Sequence, residues 1–536
     1  MLAADRAEAR SARRGLHRAD WLPRLATRHV LLALILVAYV CLAFGYARAT
    51  PRWNNPDEPA HFNYVRHVAQ TGQLPILAPG DWDAELLARL TTERFPNDDE
   101  IAGIRYEGHQ PPLYYLLGAA VNRLSWDLLL ERQVLALRAL SILLGVVTVV
   151  AAFVVGREVA PNRPELALLG GATVAFVPMH TAISAAINND SLANALAGVT
   201  LATLLVGWRR GFGVRGAVAL GVLLGLVLLT KLTAYVYVPL GLATLFLRER
   251  RPGPPLGEVF SRAARLTLLA GGVALLIASW WFVRNVSVYG LADPLGLARH
   301  DAVVVGQPRW QALDLASLDF FYRVLFRSFW GMFGWMGVVL PDRVYLLYLG
   351  LTLLAILGLL LPWLRVASRA IGDLFKRRGD DAGRGPVALR APWLIWTPIL
   401  LVFAAVAYYN LTFIQPQGRY LFPALVPLAV VLATGWWRLA ATARSVSRLG
   451  AVPSALLAAV LGWSFGEAHG ALLTLGPWSG KILLATALLA GLAVLAAPRG
   501  WRAAAVVPLI GLTGLALGLL DYAVLVRFVA PTFAIR

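Results

Sequence analysis

Runs of apolar residues recur along nearly the whole chain, and they limit its folds more than any other feature. A membrane-spanning helix needs about 20 mostly apolar residues to cross about 30 Å of hydrocarbon. Such runs are predicted at 29–47, 134–155, 165–187, 191–208, 215–230, 234–247, 266–283, 344–364, 393–410, 421–437, 451–466, 481–497 and 503–526. Of the 536 residues, 58% are hydrophobic and only 15% charged, with a mean hydropathy of +0.64. A soluble protein of that composition could not cover its surface with polar groups. The chain therefore reads as an all-α polytopic membrane protein of about thirteen spans.

The charge pattern sets an expected orientation. Residues 1–28 are Arg-rich, and the apolar run that follows is long and lacks a small-residue cleavage pattern, so it reads as a retained first span. With that basic tail cytoplasmic, Lys and Arg outnumber acids in the segments on its side and balance them in the others. This is the positive-inside asymmetry of an N-in, C-out chain. It also accounts for the net charge of +19 without a nucleic-acid partner. Cys41 is the single cysteine, so no internal disulfide can form.

Two outer loops, 48–133 and 284–343, are far longer than the rest, and long loops with helices of their own usually carry function. The inner segment 365–392, with Lys376-Arg377-Arg378-Gly379-Asp380-Asp381, reads as a solvated linker. Three parts result: a basic tail at 1–28, a transmembrane module at 29–440, and C-terminal helices of open role at 441–536.

Ionisable chemistry concentrates in Trp53-Asn54-Asn55-Pro56-Asp57-Glu58-Pro59-Ala60-His61, just beyond the first span. Asn55 is a good N-cap and Pro56 fits the first helical position, which puts Asp57 and Glu58 in the first turn. Glu58 also has the capping-box spacing from Asn55, so its predicted role is to build the helix start. Adjacent helical residues do not share a face, whereas Asp57 and His61 do. Asp57 is then the better candidate base, with His61 as its orienter. Glu58 and His61, three apart, could instead share a divalent metal.

Asp190, Lys231, Arg284, Arg419 and Asp521 stand at span edges, where charges are costly and mark function by default. Snorkelling and helix capping are the bland alternatives. Three further segments complete the inventory. Glu107-Gly108-His109-Gln110-Pro111-Pro112-Leu113-Tyr114-Tyr115 predicts a loop end followed by an interfacial helix, with His109 able to bind phosphate or tune an acid. Gln417-Gly418-Arg419-Tyr420 sets an arginine fork, suited to phosphate, at a polar turn. The Trp- and Gly-rich stretch 328–335 predicts a closely packed re-entrant surface. No Gly-rich phosphate loop, paired-cysteine metal spacing or nucleophile elbow is present.

Together with Leu229-Thr230-Lys231 and the stretch 281–290, these motifs resemble a bacterial family of polytopic membrane proteins related to the GT-C glycosyltransferases. That superfamily includes protein O-mannosyltransferases and lipid A aminoarabinose transferases. The resemblance covers roughly residues 29–440. It implies an active site on the outer face, a polyprenyl-phosphate sugar as donor, and a first-loop acid at the site, here Asp57 with Glu58 beside it. The related transferases often carry a lysine before Pro-Pro-Leu-Tyr, a place filled here by His109 and Gln110, so Arg419 or Lys231 would supply the cation. The implied substrate-binding set is His61, His109, Lys231, Arg284, Gln417, Arg419 and Tyr420. The acceptor, whether glycan, lipid or protein, is left open, as is a divalent metal. A flippase of lipid-linked sugars and a non-catalytic assembly subunit are the other readings. A flippase would show paired broken helices and charges near mid-bilayer.

Overall fold

The computed structural model describes residues 21–250, 256–373, 390–445, 447–472 and 479–534. The basic tail up to residue 20 and the linker cluster Lys376–Asp381 lie outside the described residues.

The chain enters the bundle through α1 (Trp21–Ala49) and leaves it for the first long loop. That loop carries α2 (Glu58–Thr71), α3 (Ala84–Thr92), two 3-10 turns (Asp98–Gly103 and Tyr106–His109) and α4 (Leu113–Leu124). The bundle resumes with α5 (Leu130–Val159), α6 (Pro164–Ala175), α7 (Pro178–Ser184), α8 (Asp190–Arg210), α9 (Gly213–Leu228), α10 (Tyr237–Glu249) and α11 (Leu256–Tyr289). The second loop holds α12 (Leu297–Val303), α13 (Leu315–Trp330) and the antiparallel pair β1 (Met332–Phe333) and β2 (Val338–Val339). Then come α14 (Asp342–Asp373), α15 (Pro392–Asn410), a 3-10 turn (Gly418–Ala424), α16 (Leu425–Ala441), α17 (Val452–Leu472), α18 (Ser479–Ala496), α19 (Arg499–Ala504), α20 (Val506–Val524) and α21 (Ala530–Ala534).

All thirteen apolar segments are helical, but not all are long enough to cross a membrane. Among the described residues nine helices have the length and composition of a span, or ten if α6 and α7, bent by 62°, count as one. Most of the shortfall has a local cause. The 16 residues of α9 rise about 24 Å and the 13 of α10 about 20 Å, both short of a bilayer. Between them the chain turns at Thr230-Lys231 through extended backbone and one 3-10 turn. The turn interrupts the apolar run and carries Lys231 into the protein. The α6–α7 bend has the same effect. Pro178 starts α7 at its first helical position, and the chain returns at Asn188-Asn189-Asp190, all fully or nearly fully buried.

Small residues let the helices approach closely. A Cβ added at Gly358 of α14 would lie 2.0 Å from the Gly435 carbonyl oxygen of α16. Backbones can touch in this way only where side chains are absent, as is common where helices meet in a membrane. The C-terminal helices belong to the same packed body: Asp521 of α20 accepts hydrogen bonds from Tyr46 of α1 and Thr181 of α7, each 2.8 Å.

The two long loops fold together at one end of the bundle. Trp53, Phe62, Tyr114 and Tyr115 of the first loop pack with Leu137 and Ile187 in an apolar core separate from that of the main bundle. The expected interfacial helix, α4, therefore turns Tyr114 and Tyr115 inward and leaves Leu116, Leu117 and Leu124 exposed. The loops are joined by hydrogen bonds from Trp82 to the Val305 carbonyl (2.9 Å) and from Trp335 to the Trp53 carbonyl (2.9 Å). The Trp- and Gly-rich stretch forms the small β1–β2 ribbon, whose tight turn places Gly334, Trp335 and Met336 at positive φ.

Candidate functional site

The chemistry begins at the start of α2, and the expected capping box is not what forms there. The helix starts at Glu58, preceded by Asp57 in the left-handed region (φ 65°), and no side chain caps it. A left-handed conformation costs an L-residue about 1–2 kcal/mol, though Asp tolerates it better than most. Something must hold it, and the holder is Glu58. The Glu58 carboxylate is fully buried and accepts from the backbone N–H groups of Trp53 (3.1 Å) and Ile187 (3.1 Å). The Arg138 guanidinium meets it side-on, Nε to Oε1 at 2.8 Å and Nη2 to Oε2 at 2.7 Å. The remaining Arg138 hydrogen bonds go to the carbonyls of Ala47, Thr50 and Pro51. Arg138 thus ties the end of α1, the loop and the start of α2 to α5. With Glu58 locked inward, the left-handed turn aims Asp57 the other way.

Asp57 meets the other end of the sequence. Its Oδ1 accepts from the Tyr106 hydroxyl at 2.7 Å and its Oδ2 from Arg419 Nη2 at 2.5 Å. The arginine is placed by its neighbours. A Cβ at Gly418 would fall 2.1 Å from the Phe329 backbone nitrogen, so only glycine allows this turn to seat against α13. Arg419 Nε then donates to Gln417 (2.7 Å), and the guanidinium lies 5.4 Å from the Tyr420 ring centroid. Its Nη1 is 3.6 Å from Asp190 Oδ2, and the other Asp190 oxygen is 2.6 Å from Lys231 Nζ. The four charges alternate: Asp57, Arg419, Asp190, Lys231. Asp57 is the open end of this chain, with its side chain 22% exposed against 3% for Arg419.

The surroundings set the protonation states. Burial works against the Asp57 charge, but Arg419 outweighs it and holds the carboxyl at about 2. Glu107, beside it with Oε2 unpartnered, is pushed up to about 7 by burial and by the Asp57 charge. Burial drives His61 down to about 3, so its ring is neutral, with Nδ1 2.9 Å from the Tyr115 hydroxyl. Tyr115 is itself stacked on Tyr64 at 3.6 Å.

The metal pair expected from spacing, Glu58 and His61, is not the one the fold assembles, because Arg138 consumes Glu58. Instead one ligand atom each from Asp57, His61 and Glu107 lie within 4.8 Å of one another. Two oxygens and one imidazole nitrogen suit a borderline divalent ion. Each Asp57 oxygen already accepts one hydrogen bond, from Tyr106 or Arg419, so such an ion would share the carboxylate with them.

The structure thus brings Asp57, His61, Lys231, Gln417, Arg419 and Tyr420 into one neighbourhood. Other expected members are bonded elsewhere. His109 points to the second loop, its ring 4.5 Å from that of His300. Arg284 donates to the Pro75 carbonyl (2.6 Å) and stacks near Trp281 and Tyr289, bracing the loop. Asp521 is bonded by Tyr46 and Thr181 rather than at the rim. Tyr106, Glu107 and Arg138 were missed. Arg138 alone carried a signal, a charge inside an apolar run.

An all-α bundle with broken helices, two interlocked loops at one end and a buried chain of charges beneath them is GT-C-like in fold. The crystal structure of ArnT from Cupriavidus metallidurans bound to undecaprenyl phosphate is similar, with a TM-score of 0.52 at 15% identity over 94% of this chain and 77% of that one. The apo oligosaccharyltransferase of Archaeoglobus fulgidus gives a TM-score of 0.42 at 14% identity, over 89% of this chain and 56% of that one. The chain belongs to the family described as "Predicted membrane protein (DUF2142)", which matches residues 92–428. No curated protein matches it by sequence.

Proposed function

We propose that the protein is a membrane glycosyltransferase that moves a sugar from a polyprenyl-phosphate donor to an acceptor hydroxyl, with Asp57 as the base. The reading rests above all on the Asp57–Arg419 pair at the open end of the buried charge chain. The bound undecaprenyl phosphate belongs to the ArnT structure, and the shared fold makes the same class of donor the natural one here.

The pair explains how a weak base becomes useful. A carboxyl held at about 2 takes up a proton poorly near neutral pH. An incoming phosphate competes for the arginine fork, which matches its geometry. As Arg419 turns to the phosphate, Asp57 loses the partner that holds its pKa down and becomes the proton acceptor. The acceptor oxygen then attacks the anomeric carbon and its proton passes to Asp57. The bond from that carbon to the phosphate oxygen breaks, and the polyprenyl phosphate leaves. Arg419 and Lys231 bear the charge that grows on the leaving group. A phosphate leaves readily, so no acid opposite the base is required, unlike in glycoside hydrolysis.

On this reading the site faces the extracytoplasmic side of the cell membrane. The support is the basic composition of the tail and of the segments on its side, which the positive-inside rule puts in the cytoplasm. The test uses proteoliposomes supplied with the cell's own radiolabelled polyprenyl-phosphate sugars. Asp57→Asn should cut transfer by about 100-fold or more while the protein remains monodisperse. Transfer at the wild-type rate would remove Asp57 from the reaction.

A further inference from the structure

Just below Asp190 the protein keeps several buried polar atoms without a partner. They are Asn188 Nδ2, Asn189 Oδ1, Ser191 Oγ, and both amide atoms of Asn194. Each of these residues is at most 2% exposed. A buried polar group left unpaired lowers stability, so the great majority in native proteins find partners. Five such atoms within seven residues mark a place shaped for something other than its own stability.

Their positions connect them with the cleft. Asn189 Nδ2 donates to Tyr115 (3.3 Å) and Gln110 (3.4 Å), the side that also holds His61. Asp190 bonds Lys231 and faces Arg419. Asn194 lies one turn further along α8, on the same face as Asp190, and Ser191 flanks it. The polar strip therefore continues the charge chain into the bundle, about 6 Å deeper for Asn194.

The kind of atom identifies the ligand. Asn188 offers a free donor, Asn189 a free acceptor, Asn194 one of each, and Ser191 a hydroxyl that can do both. A phosphate only accepts hydrogen bonds and would be repelled by the two amide oxygens. Sugar hydroxyls donate and accept at once. We infer that the strip Asn188–Asn194 is the subsite that reads the hydroxyls of the donor's sugar ring, while Arg419 and Lys231 hold its phosphate. This inference rests on the donor reading above and adds to it the residues that select the sugar.

The experiment measures binding to the full chain in nanodiscs. The probes are a polyprenyl monophosphate and the same lipid phosphate bearing glucose, mannose or arabinose. The wild-type protein should bind at least one glycosylated lipid about tenfold or more tighter than the bare lipid phosphate, as two or more new hydrogen bonds would give. Asn194→Leu and Ser191→Ala should each shrink that gain about three- to tenfold, leaving affinity for the bare lipid phosphate unchanged. Asn194→Leu removes two unpaired atoms while keeping the branched side-chain shape, its added bulk entering the space assigned to the sugar, so its thermal stability should hold or rise. A purely structural role for Asn194 predicts the opposite. A gain that survives in both variants, or no gain with any of the three sugars, overturns the subsite. Failure of the wild-type protein to bind bare lipid phosphate overturns the donor reading itself, and the subsite with it.

Discussion

Glu58 and Arg138 form a side-on ion pair at 2.7 Å with almost no exposure, 0% and 3%, at the point where the first loop meets the bundle. Removing one partner of such a pair leaves an uncompensated buried charge and costs about 3–5 kcal/mol. Glu58→Gln and Arg138→Met should each lower the thermal midpoint of the detergent-solubilised protein by several degrees. Because the pair also fixes the left-handed turn at Asp57, the loss of sugar transfer should track the loss of fold. A Glu58→Gln protein as stable as wild type but inactive would show that Glu58 acts in the chemistry instead.

Gly418 gives a sharper handle on Arg419 than replacing the arginine does. A methyl group at 418 would sit 2.1 Å from the Phe329 nitrogen, a backbone atom that cannot swing aside. The turn must move, and Arg419 moves with it. Gly418→Ala should weaken donor binding nearly as much as Arg419→Ala, at a stability cost of about 1–3 kcal/mol from overpacking. Donor titration of both variants checks this. Wild-type affinity in Gly418→Ala would mean that the position of Arg419 is not critical.

Glu107 should make donor binding depend on pH near neutrality. Burial and the Asp57 charge raise its carboxyl to about 7, so it is mostly uncharged below that pH. As pH rises through 7 it ionises and adds a second negative charge beside Asp57. An anionic phosphate is then repelled, so the donor KM should rise on the alkaline side. Glu107→Gln, which cannot ionise, should flatten this profile while retaining the low-pH affinity. An unchanged profile in that variant would assign the pH dependence to another group.

The helices were legible because each apolar run carries its own signal. Which of them would fall short of a span was not, since Thr230-Lys231 and Pro178 break α9–α10 and α6–α7 by turns whose geometry depends on their neighbours. Helix spacing puts Asp57 and Glu58 on different faces, and in the structure they do meet different partners, although not for the reason the spacing suggests. Glu58 is held mainly by Arg138 from 80 positions away, and Asn55, three away, adds one long side-chain hydrogen bond (3.4 Å) rather than a capping box. The Asp57–Arg419 contact joins residues 362 positions apart, and no local pattern announces it. Glu107 stood in the segment 107–115 with no role of its own in the sequence, and the 3-10 turn at 106–109 brings it beside Asp57.

The same geometry bears on metal dependence. Asp57, His61 and Glu107 are close enough to share a divalent ion, yet each Asp57 oxygen already accepts a hydrogen bond, one from Tyr106 and one from Arg419. The arginine already supplies positive charge where the phosphate would arrive, the task a metal would otherwise perform. Sugar transfer should therefore continue after dialysis against EDTA, and adding Mn2+ or Zn2+ should slow it by competing with Arg419 for Asp57. The added-metal inhibition should weaken in His61→Ala and Glu107→Gln, because each removes one ligand. If chelation stops the reaction and one of these ions restores it, the ion rather than Arg419 carries the charge.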